Sequence, residues 1–253
     1  MLLTVDIGNT HITLGVFDGS LIVHSWRLST EIKRTEDELG IFIKNLLREA
    51  DIQNKVKNAV ISSVVVQLTE SVEKAIKKYL GIVPLIISHK IRMNIQIKID
   101  NPSQLGADRI ANACAAAALY SAPAVVIDFG TATSFDIVNS NKEFIGGIIT
   151  AGMKIQAEAL SSHTSKLPQL KIEAPKNTIG KNTIDAMLSG IVRGHAAMID
   201  GLLFECEREL GEKAVVIATG GYSSVISDYL KRKFDYINPD LTLIGLKLLF
   251  EMN

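Results

Sequence analysis

Two stretches of this chain share one design: an apolar strand, an Asp-x-Gly turn rich in small hydrogen-bonding side chains, and a second strand. They are VDIGNTHITLGVF at 5–17 and IDFGTATSFDIV at 127–138. Laid over each other, they match Asp6 to Asp128 and Gly8 to Gly130, and Thr10 to Ala132 or its neighbour Thr131. The offset is about half of the 253 residues. Such a repeat predicts a duplicated fold whose ligand cleft lies between two similar halves. The plainer alternative is that any two buried strands ending in a glycine turn look alike.

The rest of the chain is consistent with α/β architecture, because strand and helix patterns alternate. Strands are expected at 2–7, 12–17 and 21–27, then a helix over 36–49. Thr35 followed by Glu38 gives that helix a capping box, and Leu39, Phe42, Ile43, Leu46 and Leu47 form its apolar face. A strand at 59–64, a helix at 69–79 and a strand at 84–87 follow. The Ala-rich segment 102–120 reads as one helix, the second hairpin occupies 125–138, and helices are expected over 152–160 and 182–210. A strand at 214–218 runs into Thr219-Gly220-Gly221, and a last helix covers 242–252. The halves are placed at 1–117 and 118–253, with the last helix a candidate to pack back on the first half.

An Asp-x-Gly turn after a buried strand is a poor core element but a suitable holder for phosphate and metal. Gly8 has no Cβ, so backbone amides can approach an anion closely, while Asn9, Thr10 and Thr13 offer donors to the same oxygens. Asp6 cannot bind phosphate; its carboxylate would hold Mg²⁺ directly or through water, and the ion would bridge phosphate oxygens. His11 sits in the same turn, where an exposed side chain is expected. The turn Asp128-Phe-Gly-Thr-Ala-Thr133 offers the same chemistry from the other half. Each turn alone could equally be an ordinary Asx-stabilised hairpin; the pair is the stronger signal. Neither Gly-x4-Gly-Lys-Ser/Thr nor Gly-x-Gly-x-x-Gly occurs, so P-loop and Rossmann readings have no support. Gly220 and Gly221 would let backbone lie flat against a purine or ribose.

A third constellation is NPSQLGADRIANACAAAALY at 101–120. Gly106-Ala107-Asp108-Arg109 sets a carboxylate and a guanidinium among small residues that leave room for a ligand. A carboxylate facing a hydroxyl can accept its proton during phosphoryl transfer, and an arginine can pair with a carboxylate or a phosphoryl group. The competing reading is a surface Asp-Arg pair of little energetic weight.

Composition closes off other classes. With 27 basic and 27 acidic residues there is no electrostatic footprint for nucleic acid or anionic membrane. Cys114 and Cys206 lack metal-type spacing and are too few for a disulfide framework, which suits a reducing cytoplasm. The start lacks the basic flank and cleavage site of a signal peptide. The apolar run 113–127 carries Tyr120, Ser121 and Pro123 and falls short of the ~20 residues that span a bilayer. The five histidines are scattered without metal spacing.

Taken together, DIGNT at 6–10, ISSVV at 61–65, DNP with GADR at 100–109, DFGTAT at 128–133, IGKNT at 179–183, SGI at 189–191, TGG at 219–221 and LTLIGL at 241–246 make the chain resemble the type III pantothenate kinases. These belong to the acetate kinase, sugar kinase, Hsp70 and actin superfamily. The resemblance implies a duplicated actin-like (ribonuclease H-like) two-domain fold, mixed sheets flanked by helices, with ATP in the cleft. It implies ATP-dependent phosphorylation of pantothenate in the first step of coenzyme A synthesis, by a cytoplasmic homodimer that needs Mg²⁺ and a monovalent cation, K⁺ or NH₄⁺. Carried over by residue, Asp6, Ile7, Gly8, Asn9, Thr10, His11, Ile12 and Thr13 match the first phosphate motif. Asp128, Gly130 and Thr131 match the second, with Asp128 the monovalent-cation ligand. Asp108 matches the general base, Gly106, Ala107 and Arg109 the substrate loop around it, and Thr183 a further pantothenate contact. Departures from the family pattern are Ile99, Gln104, Ser134 and Ala151; the first two lie beside the substrate loop. Two rival functions stay open: a superfamily kinase for another hydroxylated acid, and a nucleotide-binding accessory regulator.

Overall fold

The computed structural model describes residues 1–253. The chain divides into two compact units, Met1–Ala115 with Asp240–Asn253, and Ala116–Pro239. The first takes the last helix with it and ends at Ala115, two residues before the boundary read from sequence.

Unit 1 contains β1 (Leu2–Ile7), β2 (His11–Asp18), β3 (Leu21–Ser29), α1 (Glu36–Glu49), β4 (Asn58–Ser63), α2 (Val66–Leu80) and the two-residue strands β5 (Leu85–Ile86) and β6 (Gln96–Ile97). A 3₁₀ turn at Pro102–Gln104 precedes α3 (Ala107–Leu119), which runs past the unit boundary. Unit 2 contains β7 (Ala124–Phe129), β8 (Ala132–Val138), β9 (Glu143–Ala151), α4 (Met153–Ser162), α5 (Thr183–Leu188), α6 (Gly194–Leu210), β10 (Val215–Thr219), α7 (Ser223–Ser227) and β11 (Tyr236–Ile237). The closing helix α8 (Leu241–Glu251) belongs to unit 1.

The repeat seen in sequence is present in the sheets. The first sheet runs β3-β2-β1-β4-β5, and the second holds β9, β8, β7, β10 and β11 as successive neighbours. In each, the strand carrying the Asp-x-Gly turn pairs antiparallel with the next strand and parallel with a later one, β1 with β4 and β7 with β10. Even the irregularities coincide. A register shift falls between Val16 and Phe17 in β2 and between Ile137 and Val138 in β8. Val16 faces Leu3 and Ile137 faces Val125, positions that the repeat superposes.

Local chemistry explains the elements. The capping box forms: the Glu38 amide donates to Thr35 Oγ1 at 3.3 Å and the Thr35 amide donates to Glu38 Oε2 at 2.8 Å. Leu39, Ile43 and Leu47 of α1 enter the core, but Phe42 does not; it is exposed beneath the Arg34 guanidinium, 5.1 Å from its ring centre. The place opposite α2 goes to Gly40, where a Cβ would collide with the Tyr79 ring. Helix α8 packs on β1, β2 and β4, with Leu243 against Gly15 and Thr242 Oγ1 donating to Asn112 Oδ1 of α3 at 2.8 Å.

The helix expected over 182–210 is three pieces, because a π-helical turn at Ser189–Arg193 separates α5 from α6. The run Thr183–Leu210 is apolar and long enough to cross a membrane, yet half of its most apolar window is buried in the protein. Ile191, Val192, Ala196, Ile199 and Leu203 sit in the core of unit 2, which accounts for the apolar composition.

Candidate active site

In unit 1, the first turn sits where β1 ends between β2 and β4. Asp6 pairs in register with Thr13 on one side and Ser62 on the other. Ile7 and Ile12 close the hairpin and are core residues, so only their backbone can face a ligand. Asn9 and His11 are exposed at the tip, while Gly8, Thr10 and Thr13 are partly buried. The turn is braced from three sides: the Gly8 amide donates to His11 O at 2.9 Å, Thr30 Oγ1 to Gly8 O at 2.7 Å, and the Thr30 amide to Thr10 O at 3.0 Å. The Gly8 amide is therefore committed within the turn.

Asp108 lies in the first turn of α3. The segment 102–120 is not one helix: an extended Leu105 breaks it, and α3 restarts after Gly106. That restart puts the Asp108 carboxylate at a helix N-terminus, where it accepts the Arg109 amide at 2.8 Å. A Cβ on Gly106 would collide with Asp108 Oδ1 and stand 3.4 Å from Val64 Cγ1. The amide of Val64 in turn donates to Ile7 O at 3.0 Å. The first turn and the Asp108 loop thus border on the same residue. Burial pushes the Asp108 carboxyl above its ordinary range, against the opposing pull of the Arg109 amide and guanidinium. A carboxylate held in this way is a better base than an exposed one.

Unit 2 repeats the first arrangement with a tighter turn. Ile7 faces Ile12 across four residues, whereas Phe129 faces Thr133 across three. Thr13 therefore corresponds to Ser134, and no single residue corresponds to Thr10. Asp128 pairs in register with Ser134 and Thr219. Gly220 has φ +86°, and a Cβ there would stand 2.6 Å from Asp128 Oδ1 and 2.7 Å from Phe129 N and C. Its lack of a side chain makes room for Asp128. Gly221 is exposed with open space around it. Thr131, also exposed, is fixed through its carbonyl, which accepts the Gly152 amide at 3.1 Å.

Thr183 begins α5 and is exposed on a groove of about 740 Å³ lined also by Gln156, Leu160, His163, Leu167 and Met187. His195 had no sequence signal. It is 2% exposed and bridges Thr133 Oγ1 and Gln156 Nε2, each at 3.0 Å, and burial lowers its pKa to about 4. Nothing in its spacing distinguishes it from the other histidines.

No group of three or more His, Cys, Asp or Glu side chains is placed to hold a metal unaided. Mg²⁺ on a nucleotide keeps several waters and needs only one or two carboxylates. Asp6 and Asp128, at the ends of their strands beside small residues, fit such ions.

Known proteins are similar to this chain along its length. The family model described as Type III pantothenate kinase matches residues 2–205. A type III pantothenate kinase of Dehalococcoides mccartyi is 41% identical, the match covering 100% of this chain and 96% of the relative. One of Halalkalibacterium halodurans is 42% identical with both chains fully covered. Two solved structures share the fold at low identity. The activator of 2-hydroxyisocaproyl-CoA dehydratase from Clostridium difficile, with bound ADPNP, has TM-score 0.59 and 12% identity over 99% of this chain and 95% of that one. The ROK hexokinase from Thermus thermophilus has TM-score 0.53 and 12% identity over 100% and 99%. The two mixed, helix-flanked sheets form the duplicated actin-like fold of these kinases and ATPases. With its whole length matched at about 40% identity, the chain belongs to the type III pantothenate kinase family.

Proposed function

We propose that this protein phosphorylates pantothenate with ATP, giving 4'-phosphopantothenate in the first step of coenzyme A biosynthesis. The observation that carries the mechanism is the shared border of Asp108 and the first turn on Val64. It supports a base and a phosphate cradle acting on one reaction centre.

In this reading Asp108 accepts the proton of the pantothenate primary hydroxyl. The hydroxyl oxygen bonds to the γ-phosphorus in line, the bond from phosphorus to the β–γ bridging oxygen breaks, and ADP leaves. Desolvation keeps Asp108 basic enough to take the proton, and Gly106 leaves space beside its carboxylate. Arg109 pairs with the pantothenate carboxylate, and Thr183 makes a further contact to the substrate. The turns at Asp6–Thr13 and Asp128–Thr131 each serve the nucleotide phosphates. Asp6 would hold Mg²⁺, in part through water, and Asp128 a monovalent cation; when bound, these ions neutralise phosphate charge. The halves are assigned to 1–117 and 118–253 with the last helix returned to the first. A cytoplasmic homodimer suits the substrate and the two buried thiols.

Asp108→Asn keeps the shape of the side chain and removes the base. Turnover should fall by orders of magnitude with the melting temperature not lowered, measured as ADP release with pantothenate, with and without K⁺ or NH₄⁺. Near-normal turnover in the purified variant rejects the assignment.

A further inference from the structure

His195 joins the strands and the helix that surround the second turn. Its ring lies edge-on to Phe129, the residue after Asp128, with centroids 6.2 Å apart. Its Nε2 is 3.0 Å from Thr133 Oγ1, and its Nδ1 is 3.0 Å from Gln156 Nε2. Gln156 Nε2 also donates to Ala151 O at 2.9 Å, at the end of β9. These contacts fix the protons. An amide nitrogen has two hydrogens and no lone pair to offer, so Gln156 gives one hydrogen to Ala151 O and the other to His195 Nδ1. Nδ1 is then an acceptor, the imidazole proton is on Nε2, and Nε2–H donates to Thr133 Oγ1.

The chain of bonds from Ala151 through Gln156 and His195 to Thr133 thus ties β9, α4 and α6 to the strand that leaves the turn. The opposite flank is tied separately, by Gly152 N to Thr131 O at 3.1 Å. Thr133 is 1% exposed and His195 2%, so water cannot replace a bond that is lost. Gln156 also lines the groove on which Thr183 stands.

We propose that His195 is a positioning residue for phosphate transfer: acting through Thr133, it holds the second turn in the geometry that receives the nucleotide. This rests on the reading of that turn as a phosphate cradle. A side chain that donates where Nε2 does can replace it; an apolar one of similar size cannot.

Steady-state kinetics and thermal melts of full-length His195→Leu, His195→Gln, Thr133→Val and Asp128→Asn test the assignment. Loss of one buried hydrogen bond should raise the KM for ATP about tenfold in His195→Leu and Thr133→Val, and His195→Gln should restore it. Thr133→Val keeps the side-chain shape, so it serves if His195→Leu does not fold. An unchanged KM for ATP in the Leu and Val variants alongside a raised one in Asp128→Asn overturns the role of His195 alone. Equal rises in His195→Gln and His195→Leu overturn it as well. If Asp128→Asn also leaves ATP binding untouched, the phosphate-turn reading fails and the inference with it.

Discussion

Gly220→Ala separates two explanations of the Thr219-Gly220-Gly221 turn. In the structure the substitution meets two costs. The residue sits at φ +86°, a conformation that costs an L-residue about 1–2 kcal/mol. The new methyl also stands 2.6 Å from Asp128 Oδ1 and 2.7 Å from the Phe129 backbone, well inside contact distance. The Asp128 carboxylate could turn aside, but the Phe129 contacts are backbone, so the strand end itself must move, at about 1–3 kcal/mol more. A total near ~3 kcal/mol corresponds to a melting temperature lower by about 6–12 °C for a chain of this size. The loss should appear without any ligand, and the displaced Asp128 should weaken activation by K⁺. The assay is a thermal melt of the free protein, followed by K⁺ titration of ADP release. A platform for the purine predicts the opposite pattern, with an unchanged melt and a raised KM for ATP. That pattern refutes the reasoning here.

Gly152→Ala should be comparably costly, because its Cβ would collide with Thr131 O and stand 2.7 Å from Gly130 O; a melt and the KM for ATP check it, and a silent variant contradicts the packing. Asp108 has a raised folded pKa, so the folded state binds its proton more tightly and the group's contribution to stability is lost as pH rises through that value. Urea denaturation should therefore find Asp108→Asn more stable than the parent at pH 7–8, the gap closing toward pH 4, while kcat of the parent falls on the acid side with a midpoint above 3.8. For His195 the folded pKa of about 4 lies below the ordinary imidazole value of 6.5, so the unfolded chain takes up a proton first and stability falls as pH drops between those values. The drop attributable to this residue is about 3 kcal/mol, read as the difference between parent and His195→Gln denaturation curves; parallel curves over pH 6.5 to 4 contradict it.

Where sequence reasoning succeeded, a local rule coincided with the tertiary demand. The α1 helix is bounded by its capping box, and both turn strands are continuous branched runs that must be buried. Where it failed, the deciding contact was remote. Strand β9 was missed because Gly146 and Gly147 interrupt its pattern, and Gly146 adopts φ +151°; pairing with β8 supplies what propensity does not. Phe42 looked like core because it lies on the apolar stripe, but Gly40 takes that place beneath Tyr79. The glycines in the two motifs drew attention, yet Gly130 has only ordinary contacts. Tighter positions around the sites include Gly106, Gly152 and Gly220, whose neighbours are set by the fold. His195 was illegible for the same reason, since its partners are 39 and 62 residues away.

Duplication supplied two similar turns, and the residues beside them have since made the two carboxylates unlike. In unit 2 the residue after Thr219 is Gly220, whose backbone comes up against Asp128. In unit 1 the corresponding residue is Ser63, paired with Ile7, and its hydroxyl is drawn to the start of α2, accepting the Val65 amide at 3.1 Å and Thr69 Oγ1 at 2.8 Å. A Cβ on Gly8 would approach His11 O at 3.2 Å, not the carboxylate of Asp6. Backbone packed on Asp128 restricts the space on that side of its carboxylate. Asp6 and Asp128 are both partly buried, and only Asp128 has a glycine at the neighbouring strand end. The two carboxylates thus differ by a single exchange of serine for glycine at equivalent strand ends.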